Sequence, residues 1–392
     1  MVIGRGILGL SSAHALALAG QAVDVVSSPH WPRASAAAAA NLALKAQSFA
    51  RHPHFALKLR IRERYADWVQ EVEKESARLV PFRQGRGIAL FDSCEASEAQ
   101  WRRVRQPEAD VLTRGLPPQS LSKLPSEGRD SWPLCYERES WVDADALLSA
   151  LETACLSHGV RFFERQVDSW QALSELVDEN THVLVCAGAG TPRLLQVLEL
   201  EACAPPLRTR LARPRWSAGS VFVSRSHSLH APNNAAASFL SLLPSAALVD
   251  LPERCEAAPT LSGPGLQAPR EALFLSSTTL RLKNPGFENP SLFVPDPSWA
   301  EENGRLLRAT KEGLQFLGLE DPVFLWEQAR HGVRVGFGHE ELVACALEPC
   351  KPKWTRHKAA FLLAGAHKSG FLFAPAASEL LASIGLLGKS AG

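Results

Sequence analysis

Met1-Val2-Ile3-Gly4-Arg5-Gly6-Ile7-Leu8-Gly9 opens the chain, and its reading decides the fold. A short apolar strand runs into glycines spaced G-x-G-x-x-G, and a helix follows. Each glycine in such a spacing has its own task. Gly4 makes the tight turn, Gly6 lets backbone approach a pyrophosphate, and Gly9 lets the helix pack closely on the strand. The helix N-terminus then offers unpaired N–H groups to the anion. Glycines at this spacing also arise by chance in loops, so the flanks carry the argument. Leu10 to Ala19 is alanine-rich and free of Pro and Gly, which suits a helix lying against a sheet, and Gly20 ends it. Ala22-Val23-Asp24-Val25-Val26 is a β-branched run of strand length, so residues 1–26 read as a β-α-β unit.

Two features depart from the usual dinucleotide pattern. Ser27, followed by Ser28, closes the second strand where an acidic side chain normally holds the adenosine ribose hydroxyls. A serine hydroxyl can still bond a ribose, but without the charge-assisted strength of a carboxylate. Only Met1 to Ile3 precede the turn, so either the first strand is truncated or the natural start lies a few residues upstream.

At 392 residues the chain can bury a substantial core and is expected to hold two lobes. A hydrophobic content of 46% and a charged content of 21% describe a globular chain, neither disordered nor fibrous. The net charge of +1 gives no general attraction to nucleic acid or anionic membrane. No apolar run is long enough for a membrane span, and the N-terminus lacks the pattern of a signal peptide. The eight cysteines show no C-x-x-C pairs and no histidines at metal spacing. They are expected to be free thiols in a reducing cytoplasm, with no metal; Cys345 and Cys350 are close enough in sequence to examine as a pair.

Pro29 to Ala40 breaks the β-α rhythm with small residues that would let backbone lie against a flat ligand, or that simply start an alanine-rich helix. Residues 55–78 carry a long amphipathic pattern on Phe55, Leu59, Tyr65, Trp68, Val69 and Val72. A strand is expected over 85–91, a polar helix over 97–111, and a helix from Ala144 to His158 that Gly159 stops. Val160 to Phe163 and His182 to Cys186 read as strands, the second running into Ala187-Gly188-Ala189-Gly190 at the carboxyl edge of a sheet. Between Pro205 and Pro297, short β-rich segments and prolines replace the alternation, as in an antiparallel lobe. A helix over Trp299 to Phe316, the strand Ala359 to Ala364, a glycine loop and a last helix from about Pro375 to Leu387 complete the chain.

On these residues the chain resembles the FAD-dependent D-amino acid oxidase and glycine oxidase (DAO) family of flavoenzymes. The likeness is dense at Val2 to Ser11, Leu184 to Ala189, Gly332-Val333-Arg334, and Leu363-Ala364-Gly365 through Gly370-Phe371-Leu372-Phe373-Ala374-Pro375. It implies an α/β fold: a Rossmann-like FAD-binding domain with an inserted, mainly antiparallel α+β substrate domain. The expected division is 1–80, 140–215 and 325–392 for FAD, and 81–139 with 216–324 for the cap. The resemblance further implies noncovalent FAD, with its pyrophosphate at Gly4, Gly6, Ile7, Leu8 and Gly9 and its adenine end near Ser27, Ser28 and Val167. Its path would pass Ala187 and Gly188. The flavin ring would lie near Arg33, Ala34 and Ser35 and the loop Gly365, Lys368, Ser369, Gly370 and Phe371.

Such a flavoenzyme moves a hydride from the α-carbon of an amino acid or secondary amine to flavin N5, giving an imine, so the protein need only orient and neutralise. Arg334 is the first candidate to hold a substrate carboxylate, because its planar fork matches one bidentately; a domain-bridging salt bridge is the structural alternative. Lys368, by the glycine spacing, stands where related glycine oxidases carry an arginine, and could instead steady the reduced flavin's charge. His367 beside it is a third candidate to touch flavin or substrate. The electron acceptor is oxygen or another acceptor. Two alternatives stay open: an FAD-dependent enzyme that removes a modification from a tRNA base, and a flavoprotein-like scaffold without catalysis.

Overall fold

The β-α-β unit forms over the opening residues, and the rest of the molecule is two sheets joined around it. The computed structural model describes residues 1–29, 34–38, 40–42, 54–89, 94–95, 98–99, 102, 121–123, 134–226, 239–243, 246–250, 271–276, 280–282, 330–338, 342–350, 359–366 and 369–388. In chain order the elements are β1 (Val2–Ile3), α1 (Ile7–Leu18), β2 (Asp24–Ser27), α2 (Phe55–Ser76), β3 (Phe82–Ala89), β4 (Leu121–Lys123), β5 (Leu134–Val142), α3 (Ala144–Ser157), β6 (Arg161–Glu164), α4 (Trp170–Ser174), β7 (Val183–Val185) and α5 (Thr191–Val197). There follow β8 (Leu200–Ala202), α6 (Pro205–Leu211), β9 (Pro214–Ser226), β10 (Phe239–Leu243), β11 (Ala246–Asp250), β12 (Glu271–Ser276), β13 (Leu280–Leu282), β14 (Arg330–Phe337), β15 (Val343–Pro349), β16 (Ala360–Ala364), α7 (Gly370–Phe373) and α8 (Ala377–Ser383). The expected helices over 299–316 and, for the most part, 97–111 lie outside the described residues.

The first sheet has the order β6-β2-β1-β7-β16-β15-β8. Its first five strands are parallel, and β15 and β8 close the far edge antiparallel. Both faces are covered. Val2, Leu184, Phe361 and Leu363 pack under α1, α2, α3 and α8, while Ile3, Val183, Val185 and Leu362 pack under α4, α5 and α6. Neighbouring residues of one strand thus serve opposite faces, the period of two that makes buried parallel strands read as unbroken apolar runs. The strand β15 has no such run, only Val343, Cys345 and Leu347 alternating with alanines, and sequence reading passes over it.

The second sheet runs β13-β9-β12-β11-β10-β3-β5-β4, with β14 also on β9. Every pairing in it is antiparallel except β10 on β3. The strand β14 lies close over the turn Ala34–Ala37: a Cβ at Gly332 would come 2.9 Å from the Ala34 Cα. That turn settles the alanine-rich stretch for its described residues, which form a turn and not a helix. The last helical segment begins at Gly370, earlier than expected, and passes through a 3-10 turn at Ala374–Ala376 before α8.

On α2 the buried stripe reads Lys58, Arg62, Tyr65, Val69, Val72, a spacing of four and three that turns one face to the core. No helix among the described residues is long and apolar enough to cross a membrane.

Candidate active site

The glycine turn is built as its spacing requires. Gly4 has φ +121°, and a Cβ there would lie 2.3 Å from the Cys186 carbonyl oxygen. A Cβ on Gly9 would lie 1.9 Å from the Gly4 carbonyl oxygen, so the helix can sit this close only without a side chain. Gly6 is the N-cap of α1 and supplies no side-chain cap, and the first turn carries no acidic residue. The N–H groups of that turn have no acceptor within the helix. One of them, Ile7 N–H, donates to Ser35 Oγ at 3.0 Å.

A cleft crosses this turn along the carboxyl edge of the parallel strands. Gly4, Gly6, Ile7 and Leu8 line it, with Ala34 and Ser35 beside them. Ser27, Ser28 and Val167 line one end; Ala187 and Gly188 flank the middle; Gly365, Gly370 and Arg334 line the other end. Fourteen residues separated by up to 366 positions of chain therefore meet on one surface. Gly9 packs against Gly4, and Ser369 and Phe371 are buried. Arg33, His367 and Lys368 lie outside the described residues.

Sequence reading missed several residues at the site. Arg5, between the first two glycines, lines the cleft and pairs with Glu152 of α3 through both Nε, at 3.1 Å, and Nη2. It also reaches Glu164 at 3.5 Å and lies 5.0 Å over the Phe162 ring, so the turn is tied to α3 and β6. Arg165, Gln166 and Asp168 join Val167 at the serine end, and Ser28 Oγ donates to Gln166 Oε1 at 3.4 Å. Their signal was positional: they follow directly on β6, at the carboxyl edge where ligands bind open α/β sheets.

The loop after β16 is held from behind by α2. Lys58 Nζ donates to Ser369 Oγ at 3.2 Å and lies 5.4 Å over the Phe373 ring. The Tyr65 hydroxyl donates to the Phe371 carbonyl at 3.0 Å. Both side chains are fully buried. Burial pulls the Lys58 ammonium down to about 7, and raises the Tyr65 phenol well above its ordinary range. The available signal was a lysine at a stripe position of an amphipathic helix. Burial also lowers the Arg334 guanidinium from its usual value, while the side chain stays only half-buried and lines the cleft.

A parallel sheet with a glycine turn at its first β-α junction, a cleft along its carboxyl edge and a second sheet laid over one end define a dinucleotide-binding oxidoreductase fold of the flavin type. The chain belongs to the family of FAD dependent oxidoreductases (DAO), whose model matches residues 1–384. Among solved structures it is similar to iminodiacetate oxidase from Chelativorans sp. BNC1, at 18% identity over 98% of this chain and 94% of that one, with a TM-score of 0.66. It is also similar to glycine oxidase from Geobacillus kaustophilus, at 14% identity over 98% and 93%, TM-score 0.66. L-proline dehydrogenase from P. horikoshii follows at 11% identity over 97% and 92%, TM-score 0.59. At such identities the likeness is one of fold. No curated protein matches the chain.

The family's cofactor is FAD, and the residues present fit it. The side-chain-free turn at Gly4 and Gly9, the carboxylate-free N-terminus of α1, where Ser35 takes the Ile7 N–H, and the cleft along both suit a pyrophosphate.

Proposed function

We propose that this FAD-dependent oxidoreductase oxidises a small amino acid or secondary amine to its imine. The observation that carries the reading is Arg334, a half-buried cation lining the cleft at the end opposite the serines, beside the loop after β16. Bound FAD supplies the acceptor for the hydride that leaves the substrate α-carbon. Arg334 holds the substrate carboxylate with its guanidinium fork and so fixes which face of the α-carbon points into the cleft. Lys368 and His367 are the further candidates, one as a second cation and the other as a neighbour of flavin or substrate. Gly6 and Leu8 hold the pyrophosphate through backbone N–H groups, with Ile7 between them held by Ser35, and Ser27 and Ser28 take the ribose hydroxyls. Residues 81–139 and 216–324 form the cap over the substrate and 1–80, 140–215 and 325–392 hold FAD, with β14 of the latter joining the second sheet through β9.

FAD is held without a covalent bond. Among the described residues Cys186 is the cysteine on the cleft, and burial pushes its thiol up to about 12, leaving no thiolate for attachment. Thiols such as buried Cys155 and Cys186 suit a reducing cytoplasm.

The test is an absorbance spectrum of the purified protein, followed by anaerobic addition of glycine, sarcosine, D-amino acids and L-proline one at a time. Flavin bands that bleach with one of these support the reading. Arg334→Ala should then raise KM for the carboxylate substrate by roughly a hundredfold, the loss of a charge-assisted pair worth about 2–3 kcal/mol. A colourless protein that takes up no FAD, or an Arg334→Ala variant with unchanged KM, sinks it.

A further inference from the structure

Away from the cleft, three side chains far apart in sequence meet where α1, α2 and α3 pack together. His14 comes from the middle of α1, Glu75 from the last turn of α2, and His158 is the C-cap of α3. Glu75 Oε2 accepts from His14 Nε2 at 2.6 Å and from His158 Nε2 at 2.9 Å, and one donor atom from each residue falls within 4.8 Å of the others. The two rings stand 5.8 Å apart, tilted by 56°, with both Nε2 atoms directed at the same Glu75 oxygen. His14 is 4% exposed, while the edge of His158 is open to solvent, which gives the site a rigid wall and an entrance.

We propose that His14, Glu75 and His158 bind a divalent transition ion of the zinc type, with its fourth position left to water. Donors about 2.0–2.1 Å from a tetrahedral ion stand roughly 3.4 Å apart, so the two Nε2–Oε2 separations of 2.6 and 2.9 Å need to open by less than an ångström to admit one. Two imidazoles and one carboxylate are a donor set this class of ion favours over calcium or magnesium. The surroundings favour a cation as well. The C-terminal ends of α2 and α3 both point here, each carrying partial negative charge.

Metal entry replaces two hydrogen bonds. The proton on each Nε2 shifts to Nδ1, or leaves to solvent from an imidazolium, and Nε2 and Oε2 become ligands in its place. Cys155, one turn before His158, stays outside the donor set: its thiol donates to the Leu10 carbonyl at 3.6 Å, and burial, with the charges of Glu152 and Glu75, holds it up at about 12. Bound there, the ion would clamp α1, whose N-terminus forms the glycine turn, to α2 and α3.

The test uses the full-length protein dialysed against a chelator and then titrated with zinc sulfate by calorimetry, with bound metal counted by elemental analysis. The expected result is one zinc per chain and a thermal midpoint that rises with zinc. His158→Ala and Glu75→Gln, whose folding is checked by circular dichroism, should each weaken binding by roughly a hundredfold or more and lose the thermal response. Substituting cobalt(II) should give ligand-field bands without thiolate charge transfer. Failure of the wild-type protein to take up zinc, equal uptake by His158→Ala, or a cobalt spectrum with thiolate bands overturns the proposal; the last outcome would assign the ion to cysteines instead.

Discussion

Lys58→Met is the substitution for which the structure gives the sharpest number. Lys58 is fully buried on α2, and its ammonium is pulled from 10.5 down to about 7 by loss of water. The sign follows from counting protons. Between about pH 7 and 10.5 the unfolded chain carries a proton on this lysine that the folded one has shed, so stability rises with pH across that window and is flat below it. The slope is about 1.4 kcal/mol per pH unit, which gives a rise of roughly 2–3 kcal/mol between about pH 7.5 and 9.5. Methionine keeps the unbranched shape and has nothing to titrate. It forfeits the Ser369 hydrogen bond, worth about 1 kcal/mol and independent of pH in this range. Urea unfolding of both proteins at each pH, with FAD held in fixed excess so that its mass-action contribution cancels, reads the difference directly. The wild-type protein should gain on the variant as pH rises. Parallel pH profiles for the two proteins would refute the reasoning, because they would mean that Lys58 stays charged in the fold.

Gly9→Ala should abolish FAD retention, seen as loss of flavin absorbance after gel filtration, since its methyl would overlap the Gly4 carbonyl oxygen at 1.9 Å; a yellow variant counts against the packing described. Ser35→Ala removes the acceptor of the Ile7 N–H and should lower stability by about 1 kcal/mol, read as a lower urea midpoint. Asp143→Ala deletes the N-cap that accepts from Ala146 N at 2.9 Å and should cost a similar ~1 kcal/mol. An unchanged midpoint would show that water serves the N-terminus of α3 equally well.

Much of the first sheet was legible because it is written locally. The glycine turn, the helix that Gly20 stops, the β-branched β2 and the amphipathic α2 each depend on residues within a few turns of one another, and so does the segment Leu363-Ala364-Gly365. The strand β15 was not, because its alternation of small residues makes sense only once β16 and β8 lie on either side of it. Even at the cleft, the serine end was visible through Ser27 and Val167, while Arg5 and Arg165 were hidden among ordinary surface arginines.

The sequence by itself determined a dinucleotide-binding β-α-β unit, since a strand, a G-x-G-x-x-G turn, an alanine-rich helix and a β-branched strand follow one another directly, and its flavin type followed from the family resemblance at separate segments. Tertiary structure alone decided which side chains meet. Lys58 joins Ser369 and Tyr65 joins Phe371 across separations of 311 and 306 residues, Arg334 comes to the cleft on a strand paired with β9, and His14, Glu75 and His158 converge from three helices. Periodicity reports only that a face is turned inward. What that face touches is set by how distant elements pack, which no local spacing encodes.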